Sequence, residues 1–166
     1  MAAEPSQQSY FDKARIWAAT VLVVAGVAAV AGSLLDWVTI EALGAPSRAA
    51  HFGHQRIQGP ARATPFTGIE AKDGWWTLAA GVVVVVAAGL LIARRRALYA
   101  WLAFLASIVL GAVAVADFRG IENLSARMHV AADVRPAFGI TLVAASSLAG
   151  LIASLAGVAA SPRLEL

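Results

Sequence analysis

The segment Trp75–Tyr99 reads WWTLAAGVVVVVAAGLLIARRRALY, and its nineteen residues from Trp75 to Ala93 carry no charge. At ~1.5 Å rise per residue, a helix of that length matches the ~30 Å hydrocarbon core of a bilayer. The doubled tryptophan suits one headgroup interface, and Arg94-Arg95-Arg96 suits the cytoplasmic one. The run therefore fixes both a membrane and a direction through it.

Composition agrees. The 166 residues are 60% hydrophobic and only 14% charged, which places the chain in the membrane class. The net charge of +3 is not organised as a basic patch interleaved with aromatics, so nucleic acid is not an expected partner. No cysteine is present, which removes disulfides, thiolate metal sites and cysteine nucleophiles.

Three further apolar runs accompany the first. Residues 1–12 read as a short polar tail, within a cytoplasmic segment 1–15 that closes on Lys13 and Arg15. Residues 16–36 form transmembrane helix 1. Ala29-Val30-Ala31 resembles a signal-peptide cleavage site, but the apolar run continues past it to Leu35, which favours a retained span. Residues 37–74 are polar and hold Pro46, Pro60, Pro65 and a His-Phe-Gly-His run. Their Val38–Ile40, Gln55–Ile57 and Phe66–Thr67 patches have strand character but no long alternation. Helix 2 spans 75–93, a turn covers 94–96, and helix 3 spans 97–116, so helices 2 and 3 make a tight antiparallel hairpin. Within the loop 117–136, Ile121, Leu124, Met128 and Ala131 recur at helical spacing, as expected of a short helix lying on the membrane surface. Helix 4 spans 137–160, and 161–166 is a tail. The expected fold is an all-α membrane protein, an antiparallel four-transmembrane-helix bundle with an extracytoplasmic loop cap.

Orientation follows from charge near the span ends. Lys13, Arg15 and the undiluted triple arginine crowd one side, whereas the long loops mix their bases with Glu41, Glu70, Asp73, Asp117, Glu122 and Asp133. The positive-inside rule then puts both termini in the cytoplasm. Trp37, Trp75, Trp76, Arg94, Arg95 and Arg96 are the expected membrane-interface anchors.

Helix association in lipid depends on close backbone approach. Ala103, Ser107 and Gly111 share one line of helix 3. Ala145, Ala149, Ala153 and Gly157 share another on helix 4, beside Ser146, Gly150 and Ser154. These residues are the expected helix-packing or partner interface. An alanine-rich chain produces single pairs of this kind by chance, but on helix 4 small residues cover most of the surface.

The chemistry-bearing residues lie outside the spans. His51 and His54, with Glu41, Glu70 or Asp73, have the makings of a zinc set, but a Gly/Pro-rich loop does not fix ligand geometry, and solvated histidines are the simpler reading. His129 reads as an interfacial side chain. Asp36, Asp117, Glu70 and Asp73 would ring an outer mouth and bind a cation or a partner's arginine; the plainer reading is that they mark span ends. Ser107, Ser146, Ser147 and Ser154 have no histidine in the spans to act as base. Charged residues and prolines are missing from the span interiors, which argues against proton coupling or a broken-helix transport site. Neither a catalytic set, a cofactor site nor a metal site is expected. Asn123-Leu124-Ser125 fits a glycosylation sequon, and the likeness of Phe66–Glu70 to Phe118–Glu122 is attributed to chance.

The first span exits through Ser33-Leu34-Leu35-Asp36-Trp37-Val38. The second is entered through Gly68-Ile69-Glu70-Ala71-Lys72-Asp73-Gly74-Trp75-Trp76, and the fourth opens with Phe138-Gly139-Ile140-Thr141-Leu142. This layout resembles the small four-span membrane proteins of actinobacteria such as mycobacteria. The resemblance implies a bacterial plasma membrane and service as an accessory subunit of a larger envelope or respiratory complex, and it carries over no catalytic residue. The expected partners are membrane lipid and larger membrane subunits, with homo-oligomers as a further arrangement. The alternative function is an oligomeric carrier of a small apolar or lipidic molecule.

Overall fold

The computed structural model describes residues 5–42, 50–52, 55–57, 64–69, 73–128 and 132–161. Four helices account for most of them: α1 (Pro5–Leu34), α2 (Gly74–Arg94), α3 (Ala97–Met128) and α4 (Phe138–Ala159). Each contains a segment long and apolar enough to cross a membrane: Gln8–Leu34, Gly74–Arg94, Ala97–Ile121 and Phe138–Ala159. The helices pack in a ring, with α1 and α3 each flanked by α2 and α4. The chain is a four-helix membrane bundle. The start of α1, the end of α4 and the Arg95-Arg96 turn lie at one end, and the end of α1, the starts of α2 and α4 and the end of α3 lie at the other.

The seams close on small residues. Gly26 of α1 faces Gly81 of α2, and a Cβ on Gly26 would come within 2.8 Å of the Gly81 carbonyl oxygen. The backbones therefore approach more closely than any side chain there would allow. Leu22, Leu91 and Leu110 fill the space between seams and are fully buried. Outward faces carry Val24, Val82, Val86, Leu105, Ile152 and other large apolar side chains, the surface that lipid covers in a four-span bundle. The Val82–Val86 run divides accordingly, with Val84 inside and Val82, Val83 and Val86 outside.

The long connections are more ordered than a loop cap. β1 (Asp36–Ala42), β2 (Ala50–Phe52), β3 (Gln55–Ile57), β4 (Thr64–Thr67) and β5 (Ala132–Pro136) lie within them. β4, β1 and β5 form an antiparallel sheet in that order, and β2 pairs with β3. The three strand-like patches of the first loop fall on β1, β3 and β4. β5 comes from the second loop, so the sheet joins the two connections across the bundle end.

Two helix boundaries differ from expectation. Helix α1 begins at Pro5, so most of the polar stretch read as a tail is helical. Its Gln, Ala, Lys and Arg residues are sound helix formers, so polarity there does not mark an irregular chain. Helix α3 runs unbroken to Met128. The stripe at Ile121 and Leu124 therefore belongs to the continuation of α3, not to a separate helix lying on the membrane surface.

Candidate functional site

At the sheet end, one residue ties three elements together. The last carbonyls of a helix have no partner within it. In α1, Ala31 O accepts the Leu35 N–H at 3.2 Å, and Gly32 O accepts the Trp37 indole N–H at 2.7 Å. Trp37 is only 1% exposed. Its ring lies against Gly68 and Gly139. A Cβ on Gly68 would collide with the indole, and one on Gly139 would sit 2.8 Å from Trp37 Cδ1. Trp37 O then accepts the Ala137 N–H at 2.8 Å, immediately before α4, and Leu35 O accepts the Gly68 N–H at 3.3 Å. Trp37 is thus a core residue and helix cap, not the exposed interface anchor expected. Trp75 and Trp76 do face outward, at 58% and 67% exposure, and Arg94, Arg95 and Arg96 are exposed at the opposite end.

Beside this cap, Ser33 Oγ and Thr77 Oγ1 meet at 2.8 Å between α1 and α2, both fully buried. Ser33 Oγ also reaches Ala29 O at 2.8 Å, and Thr77 Oγ1 reaches Gly74 O at 2.9 Å. Each hydroxyl has one proton. If Thr77 donates to Ser33 and Ser33 to Ala29, the pair forms a continuous chain of donors; the reverse chain ends on Gly74.

The turn into α2 brings two carboxyl groups together. Asp73 occupies the N-cap position, yet its side chain makes no cap hydrogen bond. Its backbone oxygen accepts from Trp76 and Thr77, at 3.1 and 3.4 Å. Its carboxyl group lies near that of Asp117 on α3. Among the described residues, Asp117 Oδ2 is buried without a hydrogen-bond partner.

Of the expected outer ring, Asp73 and Asp117 come together, Asp36 is exposed at the start of β1, and Glu70 lies outside the described residues. For the proposed histidine set, His51 stands opposite Arg56 in the β2–β3 pair and Glu41 opposite Asp133 in the sheet. His54 and His129 lie outside the described residues. Among the described residues no group of three His, Asp or Glu is placed to hold a metal ion.

The small residues of α3 and α4 meet one another. Ala103, Ser107, Ser146, Gly150, Ala153, Ser154 and Gly157 are buried, Gly111 and Ala149 are half-buried, and Ala145 is exposed. Ser107 faces Gly150, and Ser147 faces Gly111. Ser147 Oγ donates to Ser107 O at 2.8 Å across the seam. Ser107, Ser146 and Ser154 donate to carbonyls of their own helices at 2.7–2.9 Å.

No protein-family model matches the chain, and no curated protein matches it.

The functional weight therefore rests on the geometry. The Ser33–Thr77 contact was missed from the sequence because it joins residues 44 positions apart. The Asp73–Asp117 contact has the same long-range character. The one advance signal was that both acids lie at the same end of their respective spans.

Proposed function

We propose that this protein is a non-catalytic accessory or assembly subunit of a larger bacterial membrane complex, in the plasma membrane with both termini in the cytoplasm. The observation that carries the reading is the closed bundle interior. Serine hydroxyls at the seams are spent on carbonyls, and Gly26, Gly81, Gly111 and Gly150 are occupied by neighbouring helices. Such a bundle is a packing element with its large apolar side chains turned outward. The resemblance to four-span actinobacterial proteins and the arginine-rich turn support the setting and the orientation.

Gly150 faces Ser107 inside the bundle, so a partner would read the outer side of α4, where Ala145, Leu148 and Ile152 are exposed. The test is purification of the tagged chain from its native membrane in mild detergent, followed by mass spectrometry. A stoichiometric set of larger membrane proteins supports the subunit reading, and a lone chain rejects it. An Ala145→Trp variant should lose the set while keeping its thermal stability.

A second reading, the oligomeric carrier of an apolar molecule, has one observation in its favour. Ile16, Trp17, Thr20, Val21 and Val24 line an apolar groove of about 310 Å³. Isolation as a homo-oligomer with co-purifying lipid would move the weight there.

A further inference from the structure

The end of the bundle opposite the sheet gathers positive charge at one depth. Helices α1 and α2 run antiparallel, with Gly26 opposite Gly81 and Val85. Lys13 lies thirteen residues before Gly26, and Arg96 lies thirteen after Val83, at the centre of that crossing. At ~1.5 Å per residue both descend ~20 Å, to the same level. Arg15, Arg94 and Arg95 fall within a turn of it. Arg15 pairs with Asp12 at 2.6 Å. Lys13, Arg94, Arg95 and Arg96 are exposed, and none of them makes an ion pair among the described residues.

The turn holds its arginines at a cost. Arg95 has φ 52°, in the left-handed region, and its N–H closes α2 on Leu91 O at 3.2 Å. Glycine is the residue such a cap favours on backbone grounds. An arginine there gives up backbone stability for a side chain that makes no ion pair among the described residues.

Depth identifies the counter-charge. The 21 residues of α2 span ~31 Å, so exposed Trp75 and Trp76 at one interface put Arg94–Arg96 at the phosphate level of the other. Immediately beyond the turn, Leu98, Leu102, Leu105 and Val109 form an exposed stripe along α3. It runs ~16 Å, about the depth of one leaflet. We propose that Arg94, Arg95 and Arg96, with Lys13, bind the headgroup of an anionic phospholipid whose acyl chain lies on that stripe. A soluble polyanion would satisfy the arginines but leave the stripe uncovered; a zwitterionic lipid would cover the stripe but bring no net charge. The inference rests on the membrane-spanning bundle and not on the accessory-subunit reading, so it can be tested without any partner protein.

The experiment is native mass spectrometry of the purified full-length chain in detergent, titrated with dioleoyl-phosphatidylglycerol or dioleoyl-phosphatidylcholine. The wild type should prefer phosphatidylglycerol, and the preference should fall with added salt. Replacing all three arginines by glutamine should cost on the order of 100-fold in phosphatidylglycerol affinity, from about fivefold per basic residue near an anionic surface. Phosphatidylcholine binding should not change. Arg95→Gly guards against misfolding, since it suits the left-handed cap: it should keep or raise the melting temperature and lose about fivefold in affinity. Arg119→Gln, exposed on α3 toward the sheet end, should change nothing. Equal binding of the two lipids by the wild type, or an undiminished preference in the triple variant, would overturn the proposal.

Discussion

Replacing Trp37 tests whether the sheet and the helices are one cooperative structure. Trp37→Phe keeps an aromatic ring between Gly68 and Gly139 but removes the indole N–H. Gly32 O then loses its 2.7 Å hydrogen bond in a buried setting. A net hydrogen bond is worth about 1 kcal/mol, and an acceptor left buried without a partner costs ~1–3 kcal/mol, so a loss of about 2 kcal/mol is expected. Trp37→Ala also empties the ring's place, and the usual range for such a truncation is ~3–5 kcal/mol. Unfolding of the purified protein in mixed micelles with rising dodecyl sulfate gives both differences. Hydrogen exchange gives the location: the Ala137 amide bonds to Trp37 O and the Gly68 amide to Leu35 O, so both should lose protection in Trp37→Ala. Amides at the Gly26–Gly81 crossing should keep theirs. The reasoning fails if the two variants cost the same, or if Ala137 stays protected when the ring is gone.

Other expectations are simpler to state. Gly150→Leu drives a side chain into Ser107 across the α3–α4 seam, and such overpacking should cost ~1–3 kcal/mol in the same unfolding assay. A double-mutant cycle on Ser33→Ala and Thr77→Ala should give a coupling near ~0.6 kcal/mol and not above ~1.7 kcal/mol, the span measured for interhelical hydrogen bonds in a membrane protein. A green fluorescent protein fused after Leu166 should fluoresce, and alkaline phosphatase at the same point should be inactive, if the arginine turn faces the cytoplasm.

What the sequence revealed depended on whether a signal was local. Hydropathy located all four spans because twenty apolar residues in a row have few other uses. It misjudged where helices stop, because polarity marks where a helix leaves the lipid and not where its hydrogen bonds end. Asp117 is such a boundary: α3 passes straight through it, and the helical spacing of Ile121 and Leu124 was the better guide. β5 has no alternation of its own and exists through its five-residue register with β1. Trp37 follows a span directly, as an interface anchor would, and only its position against Gly68 and Gly139 makes it core. The small residues of helix 4 were legible as a packing face, but which of them turn inward depends on where α3 lies.

The unequal helix lengths explain why the sheet exists. Helix α3 has 32 residues, ~48 Å, which leaves ~18 Å beyond the hydrocarbon core if its amino end sits at the interface. Helix α1 ends at Leu34, and β1 begins two residues later, so β1 starts at the mouth of the bundle. The chain must return from the far tip of α3 to the start of α4 at that same mouth. β5 makes the last part of this return by pairing with β1 from Ala42–Ala132 down to Val38–Pro136. The hydrogen bond from Ala137 to Trp37 O then sets the first residue of α4. A load on the tip of α3 would therefore pass through β5 into β1, and through Trp37 into the α1–α4 seam.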